Sequence, residues 1–97
     1  MKLGNFVKTP DERKRYAIDY SEWLDTDELV DSYTFAVTPS ETGGLEVDAS
    51  SLSTDETTIV FFVNDGNDGT QYTVTATTTT TGGQVKQDSI LFQVRSE

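Results

Sequence analysis

Residues 57–63 read TTIVFFV, residues 64–69 NDGNDG, residues 70–80 TQYTVTATTTT, residues 81–83 TGG and residues 84–94 QVKQDSILFQV. Three apolar, β-branched or aromatic runs are thus separated by clusters of Gly, Asn and Asp, which supply the positive φ angles of tight turns. The spacing predicts a three-strand antiparallel meander. Alternation is clearest in the middle run, where Tyr72, Val74 and Ala76 face one way and Thr73, Thr75 and Thr77 the other. One such face meets a core and the other meets water.

Outward from this stretch, residues 15–20 (RYAIDY) alternate as a first strand, with Tyr16, Ile18 and Tyr20 on one face. Trp23 and Leu24 follow and are expected to fold over the end of the core. Residues 25–28 (DTDE) suit a turn or a single helical turn capped by Asp25. Residues 29–38 form a second strand with Tyr33, Phe35 and Val37 inward, ended by Pro39, which cannot donate to a ladder. Leu45 and Val47 mark a short third strand over residues 45–48. The polar residues 49–56 are long enough to cross between sheets. Six to seven strands with one long crossover predict an all-β, immunoglobulin- or fibronectin-like antiparallel sandwich of Greek-key type. The inward set is Ile18, Phe35, Val37, Leu45, Val47, Ile59, Phe61, Val63, Tyr72, Val74, Ile90, Phe92 and Val94. Tyr72 follows a Gly-rich corner, so it is either a tyrosine corner or an ordinary inward aromatic.

Ninety-seven residues make one domain. Residues 1–12 are expected to be an extended arm ending near Pro10, and residues 13–97 the sandwich. The arm carries no apolar h-region, and no run approaches a membrane span. Synthesis and folding in a bacterial cytoplasm are expected, with no membrane partner. There is no cysteine to brace the fold and no histidine. Without histidine, a Ser-His-Asp triad, a His-zinc site and a His general base are unavailable, and no phosphate- or nucleotide-binding motif occurs. A non-enzymatic protein without cofactor or metal is expected. Asp65 and Asp68 lie in a loop that lacks the ligand ladder of a calcium hand, and a turn accounts for them. The cluster Asp25, Asp27, Glu28 and Asp31 reads as solvated acids.

The net charge is −10, which disfavours nucleic acid and anionic lipid as partners. It is unevenly spread: Lys2, Lys8, Arg13, Lys14 and Arg15 stand among the first fifteen residues against only Asp11 and Glu12. That basic arm is either a mobile tail or a strap for the acidic body of a neighbour. A second irregularity lies in residues 59–63, where Ile59, Phe61 and Val63 fill one face yet Val60 and Phe62 are large and apolar on the other. A half-exposed strand does not do this without a cover. The cover is the 49–56 loop, the N-terminal arm or another protein. The candidate partner interface is therefore Phe6, Val7, Lys8, Arg13, Lys14, Arg15, Val60 and Phe62, with Phe6 or Val7 as apolar anchor.

Several motifs carry a resemblance. They are Asp19-Tyr20-Ser21-x-Trp23-Leu24, a Tyr/Phe-rich strand ending in Val37-Thr38-Pro39, and Gly44-Leu45-x-Val47. A turn at residues 65–69 then leads to Tyr72-x-Val74-x-Ala76, and a Thr-Thr-x-Gly-Gly hairpin precedes Val85-Lys86. Over roughly residues 15–95 the chain resembles the small virion proteins described as fiber–tail adaptors of short-tailed bacteriophages. It departs in its acidity and in the Asp-rich loop at residues 64–69. The resemblance implies an Ig-like structural protein of the virion tail that attaches tail fibers to the tail or portal-adjacent machinery. Its implied partners are the fiber and a tail adaptor or nozzle protein, with copies in a symmetric ring. Two other readings fit the same fold: a capsid decoration or cement protein, and a carbohydrate-binding adhesion module.

Overall fold

A computed structural model of the chain describes residues 2–96. Seven strands are present, β1 (Lys2–Lys8), β2 (Lys14–Asp19), β3 (Val30–Thr38), β4 (Glu46–Leu52), β5 (Thr58–Asn64), β6 (Gln71–Thr80) and β7 (Val85–Val94), with no helix among the described residues. They form a four-stranded sheet ordered β1-β7-β6-β3 and a three-stranded sheet ordered β2-β5-β4. The sheets face one another: Phe35 on β3 meets Phe61 on β5 with ring centroids 4.8 Å apart, and Tyr16 on β2 meets Phe92 on β7 at 5.1 Å. The all-β class is as the alternation predicts, and the two facing sheets are compatible with a β-sandwich.

The core follows the inward rows. Ile18, Leu45, Ile59, Phe61, Val63, Tyr72, Val74, Ile90, Phe92 and Val94 are all buried, while Phe35, Val37 and Val47 are half-buried against them. Tyr20, Val30 and Ala76 complete the buried cluster. Trp23 and Leu24 close its end, the indole lying 6.0 Å edge-on from Tyr20.

Three connections differ from expectation. The 64–69 segment is not a hairpin turn, because β5 lies in one sheet and β6 in the other. The predicted meander is really a β6–β7 hairpin plus a strand from the opposite layer. Six residues with positive φ at Asp65, Gly66 and Gly69 let the chain cross. A Cβ on Gly66 would stand 2.7 Å from the Val94 side chain, so this corner is packed too closely for any other residue. The Tyr72 hydroxyl accepts from the Asn67 N–H at 2.9 Å and donates to Glu41, which makes Tyr72 a tyrosine corner clamping the crossing.

Residues 49–56, expected to cross between sheets, instead extend β4 and turn directly back into β5. The Ser53 N–H donates to the Thr58 carbonyl at 2.8 Å, and Ala49 and Glu56 adopt positive φ. Polar, serine-rich sequence here is an edge strand wet on its outer side. Finally, the segment expected as a free arm contains β1, which runs parallel to β7 from Lys2↔Ser89 to Lys8↔Val94. Its alternation is short and contains Gly4 and Asn5, so the strand is fixed by its partner rather than by its own pattern.

Candidate partner interface

β5 is the central strand of the three-stranded sheet, and its two rows differ. Ile59, Phe61 and Val63 point inward with no measurable exposure, whereas Val60 and Phe62 point outward and are half-buried. Register fixes their neighbours. Val60 lies between Ala17 of β2 and Ser51 of β4, and Phe62 lies between Arg15 and Asp48. Ala17 and Ser51 are short, so they leave Val60 only half covered. Phe62 is flanked by a cation and an anion.

Neither the 49–56 segment nor the N-terminal arm covers these side chains. Phe62 is roofed by Arg13, whose guanidinium carbon stands 4.0 Å from the ring centroid. Its Nη2 donates to Asp48 Oδ1 at 2.9 Å. Asp48 also accepts from the Asn64 side-chain amide. One arginine just ahead of β2 thus reaches across β5 to β4. The ion pair is about half exposed, and such pairs contribute no more than about 1 kcal/mol, so this roof is easily lifted. Asp48 and Asn64 belong to the patch although no sequence motif marks them; only the β4–β5 register brings them beside Phe62.

The remaining predicted residues part company. Lys14 opens β2 opposite Val63 and is exposed, and Arg15 is exposed beside Phe62. Phe6 lies in the rim between the two sheets, its ring 4.9 Å from Tyr16 and 5.7 Å from Phe92, still 40% exposed. Val7 points the other way, to the outer side of the four-stranded sheet, opposite Gln93. Lys8 is buried: its ammonium donates to the carbonyls of Thr9 at 2.7 Å and Asp65 at 2.6 Å. Desolvation lowers its pKa. This cation ties the end of β1 to the β5–β6 crossing and is spent inside the domain. Arg13, Arg15, Val60 and Phe62 therefore form one patch, Lys14 and Phe6 lie at the rim on the inner side of the sheet, and Val7 and Lys8 stand apart.

The acidic segments are used locally. Asp68 accepts from the Ser96 N–H at 2.8 Å. Glu28 is buried at the other end of the molecule, accepting from the Asp25 N–H, the Thr80 hydroxyl and the Gln84 amide. Among the described residues no group of three or more Asp and Glu is placed to hold a metal ion.

No curated protein matches the chain. A family model does: residues 8–93, which run from the last residue of β1 through almost all of β7, match the description "Podophage GP4 fiber-tail adaptor protein gp77". The match takes in both sheets, the tyrosine corner and the outward patch on β5, and the chain belongs to that family of phage fiber–tail adaptor proteins.

Proposed function

We propose that this domain attaches tail fibers to the tail of a short-tailed phage, as a non-enzymatic virion component, and that it does so through the outer face of the β2-β5-β4 sheet. The observation that carries the reading is the outward pair Val60 and Phe62 on a central strand, the Phe62 ring roofed by the exposed Arg13. An aromatic with a flanking arginine is the composition of interface hot spots. Arg13 and Arg15 put two cations beside Phe62 on an otherwise acidic protein, suited to an acidic surface on a neighbour. A ring of copies around the tail axis presents this patch once per copy, so a single contact repeats with the symmetry.

The test is to assemble particles with a Phe62→Glu/Arg15→Glu variant and count fibers by electron microscopy. The expected result is a variant that stays folded, losing about 1 kcal/mol or less, with particles largely bare of fibers. A full complement of fibers overturns the assignment of this face. Location of the protein on the capsid shell rather than the tail overturns the adaptor reading in favour of decoration.

A further inference from the structure

The outer side of the four-stranded sheet is unlike the rest of the molecule. Alternation places Asn5 and Val7 of β1 on it, with Val85, Gln87, Ser89, Leu91 and Gln93 of β7. The register continues it through Gln71, Thr73, Thr75, Thr77 and Thr79 of β6 to Ser32, Thr34, Ala36 and Thr38 of β3. Among the described side chains, the charged residues of these strands are placed elsewhere. Lys8 and Asp88 are buried, Lys86 reaches inward to pair with Asp88 at 3.2 Å, and Asp31 sits at the register shift that opens β3. Among the described side chains, none on this face is charged, in a chain where a quarter of residues are. Among the described residues, two of the three exposed large hydrophobic side chains, Val7 at 49% and Val85 at 64%, lie on it. Gln87 donates to Thr77 at 3.2 Å across the β6–β7 pair, so its polar groups are partly satisfied within the face.

We infer that this uncharged face is a self-association surface, and that its occupant is the same face of a second copy of the chain. Charge selects the occupant. Each copy carries a net charge of −10, so approach through the acidic loops or ends sets like charges together. Among the described residues, this face alone lets two copies meet without setting charge against charge. At physiological ionic strength the charges beyond the margin are screened over about 8 Å. Size also fits. Four strands about 4.8 Å apart, paired over about nine residues at about 3.3 Å each, make a face of about 600 Å². Two such faces bury about 1,200 Å², the lower end of specific interfaces. Aligned sheets pack face to face about 10 Å apart, and the threonine methyls with Val7, Val85 and Leu91 supply the apolar contact. An isologous pair made this way leaves the Phe62 face open on both copies.

Sedimentation equilibrium of the purified chain tests this across a concentration series at low and high salt. The expected result is a monomer–dimer equilibrium with a dissociation constant tighter than about 1 mM, tightening as NaCl screens the residual repulsion. Thr75→Arg, at the centre of the face, and Thr34→Lys, on its exposed β3 side, each weaken it at least tenfold. Ser51→Arg on the opposite sheet leaves it unchanged. Circular dichroism confirms that each variant folds. A chain that remains monomeric near 1 mM overturns the inference. So does a dimer indifferent to both face variants, or one that salt dissociates, since that dimer is held by the Arg13–Arg15 margin. None of these outcomes bears on fiber attachment, which is read separately on Phe62→Glu/Arg15→Glu particles.

Discussion

The two sheets share one inward grammar and have opposite outer faces. On β5, Ile59, Phe61 and Val63 look inward, as Tyr72, Val74 and Ala76 do on β6. Outward, β5 shows Val60 and Phe62 among Arg15, Asp19, Glu46 and Asp48, whereas β6 shows Thr73, Thr75, Thr77 and Thr79 among neutral neighbours. Threonine satisfies the β-branched preference of a strand while carrying no charge and little apolar area. The core therefore does not dictate the outside. One face is charged around an aromatic, the other is neutral, and each admits a different class of contact.

The sharpest way to break this comparison is to exchange inward for outward on β5. Phe61→Ala removes a fully buried ring in contact with Tyr16 and Phe35 and should cost about 3–5 kcal/mol. Phe62→Ala, one residue on, should cost about 1 kcal/mol or less, since half of its surroundings are already solvent and a cation. Urea denaturation of both variants decides it. Equal losses would mean that the outer ring is core, and the face no surface at all.

The next effect concerns the edge of the neutral sheet. Deleting residues 1–8 removes β1, the Phe6 contacts with Tyr16 and Phe92, and the buried Lys8. Phe6 stays 40% exposed, so its ring contributes only part of the about 1.5–3 kcal/mol of full burial, and the β1–β7 ladder and Lys8 hydrogen bonds add to it against the entropy of ordering the strand. A loss of about 2 kcal/mol is expected, with amide protection falling along β7 and unchanged along β5. An unaltered melting temperature would mean that β1 does not hold to its own sheet in solution, and that the segment is free to serve a neighbour.

A smaller effect separates the ends of the sheets from their faces. Glu28 holds its carboxyl below the ordinary value of 4.5, chiefly through the Thr80 hydroxyl and then through the Asp25 N–H. Because the folded value is the lower one, the unfolded chain takes up the proton first. The stabilisation is complete above about pH 4.5 and is lost as pH falls through the lower native value. Glu28→Gln should therefore lower stability at neutral pH and flatten its decline in acid. Thr75→Ala on the neutral face should leave the shape of the pH profile unchanged. A Glu28→Gln profile parallel to that of the parent would remove this carboxylate from the account.

Much of this was legible in the sequence because burial follows alternation, and alternation needs only the residue types. Every residue of the predicted inward list is buried or half-buried. Connectivity was less legible. A Gly- and Asp-rich segment of six residues serves a hairpin or a crossing equally well, and only its tie to Val94 and Tyr72 decides between them. The serine-rich 49–52 stretch has no apolar row, so its strand character comes entirely from pairing with β5. The candidate patch was half visible. Val60 and Phe62 stand out as an apolar violation of the pattern, but Arg13 reaches Phe62 through space, and Asp48 joins them through register. Lys8 misled because a lysine near a terminus is ordinarily solvated; here two carbonyls wait for it.

The smallest effect tests the roof itself. Arg13 over Phe62 combines a cation–π contact with a half-exposed ion pair to Asp48, each worth about 0.5–1 kcal/mol at such a site. A double-mutant cycle pairing Arg13→Ala with Phe62→Leu should return a coupling of about 0.5 kcal/mol. In 1 M salt the Debye length falls to about 3 Å, so the Asp48 contribution should fade while the stacking on the ring persists. Arg13→Lys should keep the charge and lose the stack, because an ammonium cannot lie flat on an aromatic face. The Thr77–Gln87 pair on the opposite sheet is the neutral counterpart, a cross-strand contact of similar size that salt should not touch. If Arg13 and Phe62 show no coupling at any salt concentration, the ring is bare in solution. The aromatic centre of the charged face is then open to a partner without any roof to displace.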